Sequence, residues 1–438
     1  MLVYAPRITP RIEFTFNLVL KEWLGIDYRL TSCHYLLEDS LESKLCYSPK
    51  QVANAFWVKP NGLLLEKDIH ELILETEGTG ADLVLFPEHD KSSFSFDIFS
   101  AIFYLVSRYE EYLPFEPDEH GRFPSAMSFV VKSSIQDIPI VDVWVQQFSD
   151  ALRQKFPFLS LSRNTWGGTI HIDIDNAFAH KGKGMIRTGG KLALALGQLR
   201  LKDFTEVAGS SLCLAHDPFD TYNAIQQEVV AEDISLKWFL HVGNLSKFDR
   251  PVNWRSRVFK RLAGKLSRSG NIGIHPSYGV LDDPDLLHQE VERFTCLAGA
   301  KPTFSRFHFL RFRFPTSYRM LMNEGITADF SMGFSDRVGY RAGTTRPFSF
   351  FDLTTNTEEE FAIYPFVAMD SALNFQLKMN PLEAIEEIDR LHAIQQNTGG
   401  DFSIVFHNEI LSDKVPWNNW GVLFKEVVGL MKGEKGER

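Results

Sequence analysis

Two aspartates one residue apart, Asp173 and Asp175, close the run Gly168-Thr-Ile-His-Ile-Asp-Ile-Asp-Asn176. Side chains of an extended chain repeat every second residue, so both carboxylates share one side of the strand. Held that close they repel unless a cation or a shared proton compensates, which is an arrangement for a metal ion or for acid–base work. The competing reading is that one acid caps the next helix and the other is merely solvated. Histidines end several later apolar runs, at His241, His275, His308 and His407, with Arg306 two residues before His308. A lone histidine at a strand end is more often structural than ligating. Together with two carboxylates, however, these rings make the mixed nitrogen and oxygen donor set that suits zinc or another first-row divalent ion.

The elements that must position these groups are legible from residue 168 onward. Thr169, Ile170, Ile172 and Ile174 have the composition of a strand covered on both faces, with charge arriving only where the strand should stop. Further strand candidates are 236–242, 271–275, 302–308, 326–330, 361–367 and 402–407. Helical windows separate them, with starts at Asp217-Pro-Phe-Asp before Ile225, Asp283-Pro-Asp before Leu286 and Asn380-Pro-Leu-Glu before Ile385. About seven βα units predict an α/β fold, a parallel sheet closed into a barrel or else an open doubly wound sheet. In either case chemistry belongs at the C-terminal strand ends.

The first part of the chain, 1–160, reads as a smaller α+β module, with the second domain spanning 165–438. Its run Arg11-Ile-Glu-Phe-Thr-Phe-Asn-Leu-Val-Leu is strand-like. Asp97 can cap a core-facing helix from Ile98 to Leu113, and residues 142–159 read as a second helix. The polar, aromatic segments Ser107-Arg-Tyr-Glu-Glu-Tyr and Asp118-Glu-His-Gly-Arg-Phe123 fit a substrate groove or a partner surface, or a hydrogen-bonded loop that locks the module together.

At 438 residues the chain is too long for one ordinary core. A hydrophobic share of 44% with 23% charged residues is ordinary globular composition. The formal net charge of −10 argues against an electrostatic hold on nucleic-acid phosphates. The absence of a charged and apolar leader or of any long apolar stretch predicts a cytoplasmic protein with no membrane span. Cys33, Cys46, Cys213 and Cys296 are far apart with no C-x-x-C pair, so they are expected to be reduced and mostly buried. The loop Lys181-Gly-Lys-Gly-Met-Ile-Arg-Thr-Gly-Gly-Lys191 looks like a phosphate cradle, but its Lys is displaced and no Ser or Thr follows, so it is not a P-loop. No G-x-S-x-G, H-E-x-x-H or strand-borne G-x-G-x-x-G occurs.

Residues 165–438 resemble the polysaccharide deacetylase family with the NodB-homology fold (carbohydrate esterase family 4), a distorted (β/α) barrel. The resemblance is carried by His171-Ile-Asp-Ile-Asp175, Gly273-Ile-His-Pro-Ser-Tyr278, Arg306-Phe-His308, Gly325-Ile-Thr-Ala-Asp-Phe-Ser-Met-Gly-Phe334, Gly339-Tyr-Arg-Ala-Gly-Thr344 and Ser403-Ile-Val-Phe-His407, in the family's order. The first part resembles an uncharacterised module found ahead of such domains in some bacteria.

The resemblance implies Asp173 as general base, Asp175 and His275 as metal ligands, and His407 as the acid that protonates the departing amine. Ile174 separates aspartates that the family usually has adjacent, so base and ligand could be exchanged. The second histidine of the family's H-x-x-x-H falls at Gly279, which cannot bind metal, and His308 is the expected replacement ligand. Arg306, Arg341 and Tyr278 are assigned to substrate binding, the two arginines to orienting carboxylates or substrate oxygens. The implied function is a metal-dependent hydrolase, with zinc the expected ion, that removes an acyl group from an N-acetylated sugar or related amide. The rival readings are a catalytically inactive glycan-binding pseudoenzyme and a glycosyltransferase using Asp173 and Asp175.

Overall fold

The computed structural model describes residues 1–52, 54–89, 92–162, 166–212, 214–231 and 234–432. Thr165, the expected start of the second domain, and Cys213 lie outside them. Two units are distinguished: Met1–Thr165 with Gly339–Pro365 and Ala393–Gly400, and Trp166–Val338 with Phe366–His392 and Asp401–Arg438. A single cut near residue 160 therefore misses two returns of the chain to the first unit. Among the described residues no helix is long and apolar enough to cross a membrane.

In the second unit the apolar runs form β1 (Trp166–Ile174), β2 (Ser235–Leu240), β3 (Ile272–Ile274), β4 (Phe304–Ser305), β5 (Ala328–Met332), β6 (Ala368–Met369) and β7 (Gly400–His407). Their order is β5-β4-β3-β2-β1-β7-β6. The ladders of β1 with β2, β2 with β3, β3 with β4, β4 with β5 and β6 with β7 are all parallel. Among the described residues no ladder joins β5 to β6, so within this unit the array is open where a ring of seven was expected. Ile170, Ile172 and Ile174 are fully buried, and His171 and Asp173 on the opposite side are buried as well, as a strand covered on both faces requires.

The strand expected at 361–367 ends earlier: β6 begins at Ala368, and residues 361–365 belong to the strand Thr357–Pro365, the antiparallel partner of Phe348–Asp352. Its alternation, Phe361, Ile363 and Pro365 buried after the more exposed acidic stretch 358–360, is the mark of a strand with one wet face.

Helix starts follow local chemistry. Asp283 accepts the Asp285 N–H at the head of Pro284–Ala298. Asn380 and Glu383 form a reciprocal capping box before Pro381–Gln395. Asp217 departs from expectation: the helix begins at Tyr222, and Asp217 accepts the backbone N–H groups of Ala179, His180, Lys181 and Phe219, pinning the loop that leaves β1. Gly273 on β3 is required by close approach, because a Cβ there would lie 2.3 Å from the Phe304 ring.

In the first unit a parallel sheet orders Arg29–Thr31, Leu2–Tyr4, Lys44–Tyr47 and Phe56–Val58. The strand-like run at 11–20 is helical instead, Pro10–Phe16 continuing through Asn17–Trp23. Thr9 caps it and Pro10 occupies its first turn; Ile12, Phe14, Phe16 and Leu18 alternate with polar residues, which gives this helix the sequence period of a strand. The helix capped by Asp97 stops at Val106, short of the predicted Leu113, because Arg108 adopts a left-handed conformation at φ 53°. The second predicted helix runs from Ile140 to Lys155. Asp118 accepts the N–H groups of His120 and Arg122 and pairs with the Arg122 guanidinium, so that segment is a locked loop. Cys46 is buried, but Cys33 and Cys296 are exposed, contrary to the expectation for most of the cysteines.

Candidate metal centre and active site

Strand register brings the chemistry to one level. Ile174 pairs with Leu240, Leu240 with Ile274, and Ile274 with Ser305, so Asp175, His241, His275 and Arg306 each follow the last paired residue of neighbouring parallel strands. His407 ends β7, which is the neighbour of β1 on its other side. His308 arrives through the turn that follows β4.

Asp175 is the centre of the group. Its Oδ1 lies 3.0 Å from His275 Nε2, and its Oδ2 lies 3.2 Å from His308 Nε2 and 3.4 Å from His407 Nε2. The outer nitrogen of each ring is already committed. His275 Nδ1 is 2.6 Å from the Arg306 carbonyl oxygen, His308 Nδ1 is 2.8 Å from Asp249 Oδ1, and His407 Nδ1 is 2.6 Å from Asp370 Oδ1. A carbonyl or an ionised carboxylate only accepts, so these Nδ1 atoms carry the protons and the Nε2 atoms turn inward. Neutral imidazoles would then aim lone pairs at an anion. A proton or a metal ion must lie between them.

Charge follows the same geometry. Burial works to raise the Asp175 pKa, but cationic His308 and His407 and hydrogen bonds from His275 and His308 hold it well below the ordinary carboxylate range. Burial opposes charging His308, yet Asp175 and Asp249 push it up to about 9. Asp249 goes down to about 2 despite burial, because it accepts from His308, the Tyr278 N–H and Ser246 and faces His241. His241 donates through Nδ1 to the His275 carbonyl; burial and the neighbouring His308 and His275 bring it down to about 4, so it is neutral. Asp175 Oδ1 is buried and lacks a hydrogen bond of good geometry, although His275 is close. Carboxylate oxygen, two inward nitrogens and an unsatisfied buried oxygen fit a small divalent cation held by Asp175, His275 and His308, whose donor atoms lie within 4.8 Å of one another.

Asp173 sits one layer deeper. It is buried, with Oδ1 3.1 Å from Arg306 Nε and Oδ2 4.0 Å from His275 Nε2. Arg306 is fully buried between the rings of Phe239 and Phe366, 4.7 and 4.8 Å from their centroids, and meets His171 Nδ1 at 2.5 Å. Arg306 is therefore paired with a carboxylate and leaves no exposed surface. Arg341 is not part of this group. It belongs to the first unit, where Nε and NH2 donate to Glu111 at 2.9 and 2.6 Å, because the chain returns there at Gly339. Tyr278 is half-buried and stacked on Phe248, with ring centroids 4.0 Å apart. A Cβ at Gly279 would meet Leu286 Cδ2 at 3.1 Å, so that position faces helix packing. Asp249 and Asp370 were not anticipated. Each is a single acid in a loop or just past a two-residue strand, with no local pattern to mark it.

Residues 1–157 match the model of a family of unknown function (DUF7033). No curated protein matches the chain. Among solved structures, the chain is similar to a protein assigned as a polysaccharide deacetylase from Mycobacterium smegmatis, at 13% identity and TM-score 0.40 over 63% of this chain and 86% of that one. It is similar to Puue allantoinase at 14% identity and TM-score 0.37, over 62% and 85%. A third similar structure, assigned as a polysaccharide deacetylase from Pseudomonas aeruginosa PAO1, has 11% identity and TM-score 0.37, over 60% and 83%.

Proposed function

We propose that this protein is a metal-dependent hydrolase of the deacetylase type, removing an acyl group from an N-acylated sugar or related amide. The observation that supports it is the convergence of His275 and His308 Nε2 on the two oxygens of Asp175, with both Nδ1 atoms held by acceptors. Asp175, His275 and His308 would hold the ion, and three protein ligands leave a position for water or substrate. The chemistry supplied by a divalent ion there is Lewis acidity, which acidifies water and polarises an acyl carbonyl.

The chain's own groups supply the proton transfers. Asp173, held by Arg306, accepts a proton from the attacking water. An amine leaves poorly without a proton, and His407 provides it. Its side chain is 16% exposed, against 2% for His275 and 6% for His308, so it is the ring of the three that substrate can reach. Burial opposes its charge, but Asp370 and Asp175 raise its pKa well above the ordinary value, and Asp370 keeps the acidic proton on the inward nitrogen.

The test is elemental analysis of the untagged protein, followed by a screen of N-acetylated sugars for acetate release. About one divalent ion per chain is expected by analogy with three-ligand catalytic sites. His407→Gln should keep the ion and slow turnover. Protein that stays metal-free after addition of zinc, cobalt or nickel would overturn the hydrolase reading and leave a binding domain.

A further inference from the structure

The loop that leaves β1, Lys181-Gly-Lys-Gly, leads into the helix Met185–Gly197 and borders a cavity of about 360 Å³. Five cations line this cavity, Lys183, Arg187, Lys191, Arg250 and Lys414, against one carboxylate, Glu206. Glu206 is already spent, taking the Lys414 ammonium at 2.7 Å and His180 Nε2 at 3.4 Å. Asp217, beneath the loop, is consumed by four backbone N–H groups, and Asp220 pairs with Lys181 at 3.3 Å. Lys183, Arg187 and Lys191 find only neutral oxygens: Asn176 Oδ1 at 2.5 Å, the Pro251 carbonyl at 3.1 Å and the Ala179 carbonyl at 2.9 Å. Among the described residues none of these three, nor Arg250, has a carboxylate within ion-pair distance.

Composition does not produce this cluster, since the chain as a whole carries a formal charge of −10. Lys183 is buried, and a buried ammonium without a counter-ion is unfavourable. Burial and the charges of Lys191 and Arg187 bring it down to about 7, with Glu409 and Asp217 opposing only in part. A concave site that gathers unpaired cations focuses its field on anions. Its position is equally specific: Asn176, the acceptor of Lys183, is the residue after Asp175.

We propose that this cavity receives an anionic group, a phosphate or a carboxylate, carried by the substrate whose acyl group is removed at the Asp175 centre. The inference rests on the hydrolase reading for the word substrate, but the anion site itself is testable alone. Isothermal titration calorimetry of the full-length protein would use orthophosphate and succinate as probes at constant ionic strength. Saturable binding of at least one is expected, weakened about tenfold or more by Lys183→Gln and by Arg187→Gln, the latter at a less buried position that folding tolerates. Preference for orthophosphate would mark a phosphorylated substrate, and preference for succinate a carboxylated one. His308→Ala should bind the same probe with Kd within about twofold. Anion binding in a protein that never takes up metal would keep this site while the hydrolase reading fails. Metal uptake without saturable binding of either probe, or binding unchanged in both charge-removing variants, would overturn the anion site alone.

Discussion

Two buried charge clusters, one in each unit, meet the same electrostatic problem in opposite ways. In the first unit, Arg108 donates to Glu111 at 2.8 Å, to Glu110 at 2.6 Å and to the Arg341 carbonyl, while Arg341 grips Glu111 with two hydrogen bonds. Glu110 also accepts from Ser128 and from the Phe129 N–H. Charges of both signs, fixed donors and fixed acceptors cancel within the cluster. Burial alone would raise the Glu111 pKa and lower that of Arg108; the pairing reverses both shifts. In the second unit, Asp175 faces inward ring nitrogens whose outer sides are already anchored, and its Oδ1 lacks a well-formed hydrogen bond. Burial and charge alone do not distinguish the two clusters; the hydrogen-bond inventory around the central carboxylate does.

The sharpest way to break this comparison is Glu111→Ala. It removes the carboxylate that pairs with both the Arg108 and the Arg341 guanidinium and should destabilise the protein by about 3–5 kcal/mol in urea denaturation, without direct effect on metal binding. A loss below about 1 kcal/mol would mean that the cluster is solvated rather than self-contained.

Removal of His308 or His275 should act in the other direction. His308→Ala and His275→Ala are each expected to lower metal affinity by more than about 100-fold. Unequal results, with occupancy unchanged in His308→Ala, would remove His308 from the ligand set. Asp249→Asn is a smaller perturbation, because it leaves every inward atom in place and changes only what holds the His308 ring. About a 10–100-fold loss of affinity is expected, read by competition with a chromophoric chelator.

The smallest effect separates the clusters by pH. His308 rises from an ordinary 6.5 to about 9 in the fold, so its charged form contributes stability that is fully present below about 6.5 and lost as pH climbs to about 9. Chelator-treated protein should therefore lose stability across that window, and His308→Gln should flatten the slope. Metal affinity should rise over the same window, since ligand nitrogens must shed their protons. The Arg108–Glu111 cluster should add no slope there: its carboxylate is held below, and its guanidinium above, their ordinary values.

The α/β character of the second unit, the strand that carries Asp173 and delivers Asp175, and the histidines at the ends of β2, β3 and β7 were legible in sequence, whereas His308, expected to end a strand, arrives through a turn. β-branched runs that end in charge mark buried parallel strands, and a two-residue spacing places side chains on one side whatever the fold. Helix starts at Asp283 and Asn380 were equally local. Tertiary structure decided the rest. Arg341 lies within a motif-like segment of the second half, yet it belongs to the first unit because the chain returns there. Arg306 precedes His308 by two residues but is sealed between two phenylalanine rings. Asp249 and Asp370 orient two of the rings from positions that nothing nearby in sequence announces. The amino-acid order sets which groups a strand presents at its end. Which lone pairs face one another, and which charges are left without a partner, depends on packing between strands more than 30 residues apart, a register that no local pattern encodes.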